Sequence, residues 1–351
     1  MKSGRLLWPD ILKILSIYGV VLIHSAAPML TRYDSVGMQN WWVANIYDSL
    51  VRWCIPVFFM ASGAFLIAKA GKESPGQFFM RRSRKIIVPF LIWSAVYFLW
   101  RIYLNGEDLQ WTSFFSMLFR EPIYYHLWFI YILIELYLLA PVLGVYVKSA
   151  GMKNQLYLLS LWFIFCSILP MLEIICGFQT ILSIGSTVSF INYAGYFFLG
   201  YFLHDIKLKP VYLPFLFLLF ALGFLATAYG TFYLSIIKGN GTFSGVFYEY
   251  YTVNVLAMSV SVFLIIKSIP VFQVSSRGIL TGIIAACVPG IYFVHAIVIA
   301  VFKRNLLGFT LSESSLRPSI GIPVFALAVF GISLVITQII KIIPGIRCAI
   351  P

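Results

Sequence analysis

Charge is what this 351-residue sequence has least of: 11% of its residues are Asp, Glu, Lys or Arg, against roughly 25% in soluble globular proteins. With 61% hydrophobic residues and a mean hydropathy of +0.93, that shortage excludes a soluble fold and puts the chain in a bilayer. Acid is scarcer than base, 12 residues against 25, which leaves a net charge of +13. On a soluble domain such an excess would point to nucleic acid. Here it points to the inner surface of a membrane, where basic residues collect, and no nucleic-acid partner is expected. Cysteine is sparse as well. Cys54, Cys166, Cys176, Cys287 and Cys348 are scattered without C-x-x-C spacing, so neither a disulfide framework nor a zinc or other metal site is indicated, and we read them as packing residues. No internal repeat is visible and no loop is long enough for a soluble domain, so residues 1–351 read as a single integral membrane domain.

What the sequence has in abundance is long apolar runs. The first follows Lys2 and Arg5 and ends in Ser25-Ala26-Ala27, in outline a signal peptide, but Asp10 and Lys13 inside it make it a retained span. A crossing helix needs about 20 apolar residues. That rule predicts an all-α polytopic protein with ten spans, at 8–29, 43–68, 86–104, 127–147, 156–175, 188–204, 210–231, 248–267, 279–302 and 320–343. Trp111–Phe119 is apolar but too short to cross and reads as an interfacial helix. With both termini in the cytoplasm, 16 basic residues fall inside and 7 outside, the asymmetry that orients membrane proteins. The ninth loop breaks the pattern with Lys303, Arg304 and Arg317.

An ionisable group in the hydrocarbon costs about 2.5 to 3.5 kcal/mol on insertion scales, so each is a candidate site residue. They are Asp10, Lys13 and His24 in the first span, Asp48 and Arg52 in the second, His126 at the mouth of the fourth with Glu135 deeper, Glu249 in the eighth and His295 in the ninth. Lys13 and His24 are eleven residues apart, about three turns plus 20°, and Asp10 lies three residues further back. One stripe of one helix thus carries an acid, a base and an imidazole, with roughly 16 Å between Lys13 and His24. By the same rise, His295 lies about 24 Å along its outward-running span, and Glu135 about 13 Å below His126. His24, His126, His295 and the Asp48–Arg52 pair, spaced i,i+4, therefore fall at similar depth toward the outer side. His204, beside Asp205, reads as a solvated loop residue.

The inner side carries Arg81, Arg82, Arg84 and Lys85 in FFMRRSRKIIVPF, directly before the third span. This density exceeds what orientation requires. It reads either as a lipid-headgroup anchor or as a phosphate clamp, for which Arg supplies bidentate donors. A phosphorylated cofactor such as coenzyme A would suit the clamp, with an acyl arm threading toward His24.

Taken together, these pieces resemble the acyltransferase 3 family of integral membrane acyltransferases. The first span carries a basic residue, ten intervening residues and a histidine as Lys13 and His24, with Asp10 in the acidic position before them. IPVFFMASGAFLI (55–67) is similar to the family's Phe-Phe-x-x-Ser-Gly signature, and RRSRKIIVPF to its Arg-x-x-Arg stretch, with Lys85 where Arg is more usual. HLWFIYILIELYLLAPVL (126–143), NYAGYFFLGYFL (192–203) and IYFVHAIVI (291–299) resemble later blocks. The resemblance implies acyl-coenzyme A, such as acetyl-coenzyme A, as donor from the cytoplasmic side, a surface polysaccharide or lipid-linked sugar as acceptor, and a place in the bacterial cytoplasmic membrane among its lipids. It also implies that His24 is essential for transfer and that Arg82 and Lys85, within the Arg81–Lys85 cluster, handle the coenzyme.

Attack of an alcohol on a thioester needs a base for the hydroxyl proton and stabilisation of the oxyanion. His24 is the expected base, since an unperturbed imidazole titrates near about 6.5. Asp10 and Lys13 lie too far along the helix to touch it and are expected to position the cofactor or pair helices. Arg52, His126, Glu135 and His295 are expected to orient the acceptor or the oxyanion. The rival expectation is a multi-span transporter or flippase of a glycan or small acid, in which the intramembrane charges form a proton relay.

Overall fold

The computed structural model describes residues 6–177, 189–272 and 278–351. Among these residues the secondary structure is helical throughout, with no strand: α1 (Trp8–Leu30), α2 (Tyr33–Val51), α3 (Cys54–Ala70), α4 (Pro75–Tyr103), the short α5 (Ser113–Arg120), α6 (Trp128–Ser149), α7 (Met152–Phe163), α8 (Leu169–Cys176), α9 (Ser189–His204), α10 (Leu213–Phe232), α11 (Val253–Ser268), α12 (Ile279–Lys303) and α13 (Pro318–Ile342). Nine stretches of the described residues are long and apolar enough to cross a bilayer. The expected sixth span, 188–204, is described from Ser189 onward as α9, and its first residue lies outside the described residues. The protein is an all-α integral membrane protein.

The second span differs from expectation. Its helix starts at Tyr33, ten residues before the apolar run, and it breaks in the middle at Arg52 and Trp53. Pro56 causes the break: without an N–H it leaves the carbonyl four residues back, that of Arg52, without its helical donor, and the ladder resumes with Val57 N to Trp53 O at 3.0 Å. Gly37, at φ 74°, bends the added N-terminal part. A comparable joint links α7 to α8, where a π turn at Ile164–Ile168 precedes Pro170. The interfacial helix appears as α5, with Phe115 and Phe119 exposed. Glu249 lies, as expected, within the crossing stretch Val246–Ser268, but in the non-helical backbone ahead of α11, where it is exposed. One other expectation is corrected. His204 ends α9 and packs its ring on Phe65 and Trp8, at 5.2 and 6.0 Å between centroids, while its Nδ1 lies 2.7 Å from Asp205.

Helix α1 is central, packing on α2, α3, α12 and α13. The most extensive interface joins α3 to α9, where backbones touch through glycine: a Cβ on Gly63 would fall 1.7 Å from the carbonyl oxygen of Phe197, and one on Gly200 1.9 Å from that of Met60. Two of the basic residues that break the charge pattern have partners. Lys303 is 2.8 Å from the buried carboxylate of Glu313, which also faces Arg32 at 3.5 Å, and Arg304 donates to the carbonyl of Leu104.

Candidate active site

Helix α3 turns one face, Ile55, Phe58, Ser62, Leu66 and Lys69, toward a cavity of about 870 Å³. The spacing of three and four residues is the helical period. Facing it are Asp10 and Lys13 of α1, Arg82 and Lys85 of α4, Phe129, Leu133 and Tyr137 of α6, and Val288, Pro289 and Tyr292 of α12. Lys13, Lys69, Arg82 and Lys85 crowd one end, with Asp10 among them. At the other the walls are aromatic, Phe129 lying 5.8 Å from Phe58 and 5.4 Å from Tyr292.

Arg82 is held by several contacts. Its Nη1 donates to Glu73 at 2.9 Å and to the Phe78 carbonyl at 3.2 Å, and its guanidinium lies 3.9 Å from the centre of the Phe78 ring. The hydrogen bond from Arg82, joined by the charges of Arg81 and Lys69, holds the Glu73 carboxyl below the usual carboxylate range. Arg81 also reaches Glu73, at 3.2 Å, with its side chain 66% exposed. Arg84 is exposed, and neither Arg81 nor Arg84 lines the cavity.

Tyr292 is the partition between this cavity and a cluster of three imidazoles. Its ring centre is 5.4 Å from that of His126 and 6.0 Å from that of His295, and its hydroxyl donates to the main-chain carbonyl of His126. His24 stacks on His295 at 5.4 Å, and His126 meets His295 edge-on at 5.0 Å. Tyr125 covers His24 edge-on at 4.9 Å. His295 is one helical turn beyond Tyr292, and its Nδ1 lies 2.6 Å from the carbonyl of Tyr292. A carbonyl accepts only, so Nδ1 carries the proton and Nε2 keeps its lone pair. That Nε2, like both ring nitrogens of His126, is buried without a hydrogen-bond partner among the described residues. His126 and His295 are shut off from solvent, whereas His24 is partly accessible.

Beside the imidazoles, at the α2–α3 break, Arg52 donates from Nε to the fully buried Asp48. Its guanidinium lies 4.0 Å from the centre of the Tyr248 ring and within electrostatic reach of His24, as does Lys303. The structure thus brings His24, His126 and His295 together with Arg52 nearby, and gathers Asp10, Lys13, Arg82 and Lys85 around the cavity. It does not bring in Glu135. That residue is exposed and lies about 200° around α6 from the cavity-lining Leu133. Sequence reading missed Lys69, counted there only toward orientation, along with Tyr125 and Tyr292. Their signal was adjacency: Tyr125 directly precedes His126, and Tyr292 stands one turn before His295. Among the described residues no group of His, Cys, Asp and Glu is arranged to hold a metal ion.

Among known protein families, the chain matches one described as an acyltransferase domain, over residues 6–341. No curated protein matches it. No solved structure matches it either.

Proposed function

Because the chain belongs to the acyltransferase 3 family, we propose that it moves an acetyl or other short acyl group from acyl-coenzyme A to a hydroxyl of a glycan or lipid-linked sugar. Membership makes it a membrane acyltransferase. The donor, the acceptor and the residue roles are inferred from the site. The carrying observation is the polarity of the cavity, cationic at one end and aromatic at the other, with the three histidines behind its aromatic wall. A polyanionic head group with a long narrow arm suits that polarity. Lys13, Lys69, Arg82 and Lys85 would meet phosphates, Arg82 through its planar fork of donors, and the apolar walls would take the arm.

In this reading the acceptor oxygen attacks the thioester carbonyl while its proton passes to His24, the most accessible of the three imidazoles. The tetrahedral intermediate collapses with cleavage of the carbon–sulfur bond, and the proton returns from His24 to the departing thiolate. His295 has its one N–H committed to the Tyr292 carbonyl, so it can take up a proton from the cluster but cannot donate to an oxyanion while neutral. The charged donor left for that task is Arg52. The donor enters from the end with the basic cluster, which we assign to the cytoplasm.

The test uses purified protein in lipid nanodiscs with [14C]acetyl-coenzyme A. Loss of a general base costs typically 10² to 10⁴ in rate, so His24→Ala should lower acetyl-coenzyme A consumption by about that factor with its thermal unfolding unchanged. A folded His24→Ala protein with full activity would overturn the assignment. In cells, mass spectrometry of surface glycans with and without the protein should differ by one acyl group.

A further inference from the structure

We infer that Trp128, Tyr193 and Tyr250, with Arg52 and Glu249 at their edge, form the seat of the acceptor and that it takes a pyranose ring. The inference rests on the acyl-transfer reading for its chemistry, but it stands on a different set of contacts. The three aromatic rings come from three separate elements: the first turn of α6, the first turn and a half of α9, and the loop ahead of α11. They nevertheless meet pairwise, Trp128 with Tyr193 at 5.6 Å, Trp128 with Tyr250 at 6.0 Å and nearly parallel, and Tyr193 with Tyr250 at 6.3 Å. All three remain partly accessible. The wall is rigid, because the hydroxyl of Tyr196 donates to the Tyr250 carbonyl at 2.6 Å and that of Thr252 to the Glu249 carbonyl at 2.7 Å.

Two polar groups of opposite sign border this wall. The Arg52 guanidinium lies 5.9 Å from the centre of the Tyr250 ring, and its remaining terminal nitrogen has no acceptor among the described residues. The Glu249 carboxylate is exposed and within electrostatic reach of Arg52. An aromatic wall of mutually tilted rings, with a donor and an acceptor at its rim, matches a sugar ring, whose C–H face packs on aromatic rings while its equatorial hydroxyls need partners at the edge. A belt of Trp and Tyr at a membrane interface would be the other reason for such residues, but belt rings face lipid, whereas these face one another and a partly buried arginine. The position also suits transfer. Arg52 lies within electrostatic reach of His24 as well as 5.9 Å from the Tyr250 ring, Trp128 follows His126 by two residues, and Trp128 packs on Phe129 of the cavity wall at 6.4 Å, so the wall adjoins both the imidazoles and the cavity.

The experiment uses the full chain in nanodiscs with the methyl β-glycosides of glucose, galactose and N-acetylglucosamine as probes, and glycerol as a ringless polyol. Binding is read by saturation-transfer NMR and turnover by [14C]acetyl transfer. The expected result is saturation of the ring protons of at least one glycoside and none of glycerol. Tyr250→Ala and Glu249→Gln should weaken the dissociation constant and the acceptor KM by roughly three- to tenfold, the worth of one stacking or polar contact, while the KM for acetyl-coenzyme A stays the same. Glu249 is exposed, so its variant serves even if Tyr250→Ala fails to fold. No saturation by any glycoside, equal binding of glycerol, or variants that leave binding unaltered would overturn the seat. Protein that binds a glycoside in this variant-sensitive way but never consumes acetyl-coenzyme A would refute the acyl-transfer reading and leave the seat standing.

Discussion

Asp48 has no contact with solvent, and of its two carboxylate oxygens only Oδ1, held by Arg52 Nε, has a hydrogen-bond partner among the described residues. A buried pair of this kind is worth little against apolar replacements, but removing one member strands the other's charge, at about 3–5 kcal/mol. Arg52 is better insured than Asp48, because the Tyr248 ring stands 4.0 Å from its guanidinium and attracts it whether or not the carboxylate is present. The two single variants should therefore differ. Arg52→Gln leaves a carboxylate without a cation and should destabilise by about 3–5 kcal/mol, whereas Asp48→Asn leaves a cation over an aromatic face and should cost less. The Asp48→Asn/Arg52→Gln double variant should be more stable than Arg52→Gln alone. Unfolding by sodium dodecyl sulfate titration in mixed micelles would check the order; equal losses in the two singles would contradict the role given to Tyr248. The i,i+4 spacing made the ion pair legible in the sequence, since one helix brings such residues together on its own. Tyr248 was not legible, because it comes from a loop nearly two hundred positions away and no local periodicity fixes where a loop side chain turns.

The interface between α3 and α9 explains one sequence feature and makes another prediction. Ser62-Gly63 was read as part of a family-like signature with no physical account. The account is that Gly63 and Gly200 let two backbones touch, the device by which membrane helices pack without a hydrophobic driving force between them. That contact fixes the rotation of α3, which in turn aims Phe58, Ser62 and Lys69 into the cavity. Gly63→Ala would place a methyl group 1.7 Å from a main-chain oxygen, and backbone cannot step aside as a flexible side chain can. We expect this variant to lose about 2–4 kcal/mol, toward the upper range of overpacking costs, and to raise the KM for acetyl-coenzyme A through the displaced wall. Gly331 is the internal control. It lies within α13 with nothing within 4 Å of the added Cβ, so Gly331→Ala should be neutral or stabilising by roughly 0.5–1 kcal/mol, the ordinary helix preference of Ala over Gly. Thermal unfolding in one detergent would compare the two; a tolerated Gly63→Ala would remove the close contact as an explanation.

Across the whole molecule, the all-α polytopic plan was legible because it depends on run length and composition alone: nine stretches of the described residues are long and apolar enough to cross, and the expected sixth span is described from Ser189 onward as α9. The convergence of three histidines followed from counting depth along alternating spans. Rotation about each helix axis is what depth cannot give. Glu135 turns away from the cavity, and depth alone could not show it, nor the aromatic partition at Tyr292 or the grouping of Trp128, Tyr193 and Tyr250. Those contacts are set by which helices pack together. The resulting molecule has two ends, with the cavity opening among basic residues at one and the histidines and proposed acceptor seat toward the other. Its mechanism holds only if the basic end faces the compartment that supplies the acyl donor. Cys348 marks that end: it is exposed, follows the end of α13 by six residues, and lies shortly after Lys341, which donates to the Ala286 carbonyl of α12, while Pro351 lines the cavity. Asp108, exposed in the loop between α4 and α5, marks the other end. With Cys176 replaced by Ala and the buried Cys54, Cys166 and Cys287 left in place, a membrane-impermeant maleimide added to intact cells should spare Cys348 and label an Asp108→Cys variant. Cys348 should react only after lysis. The opposite pattern would invert the topology, present the cationic cavity to the outside, and deny a cytosolic thioester any route to His24.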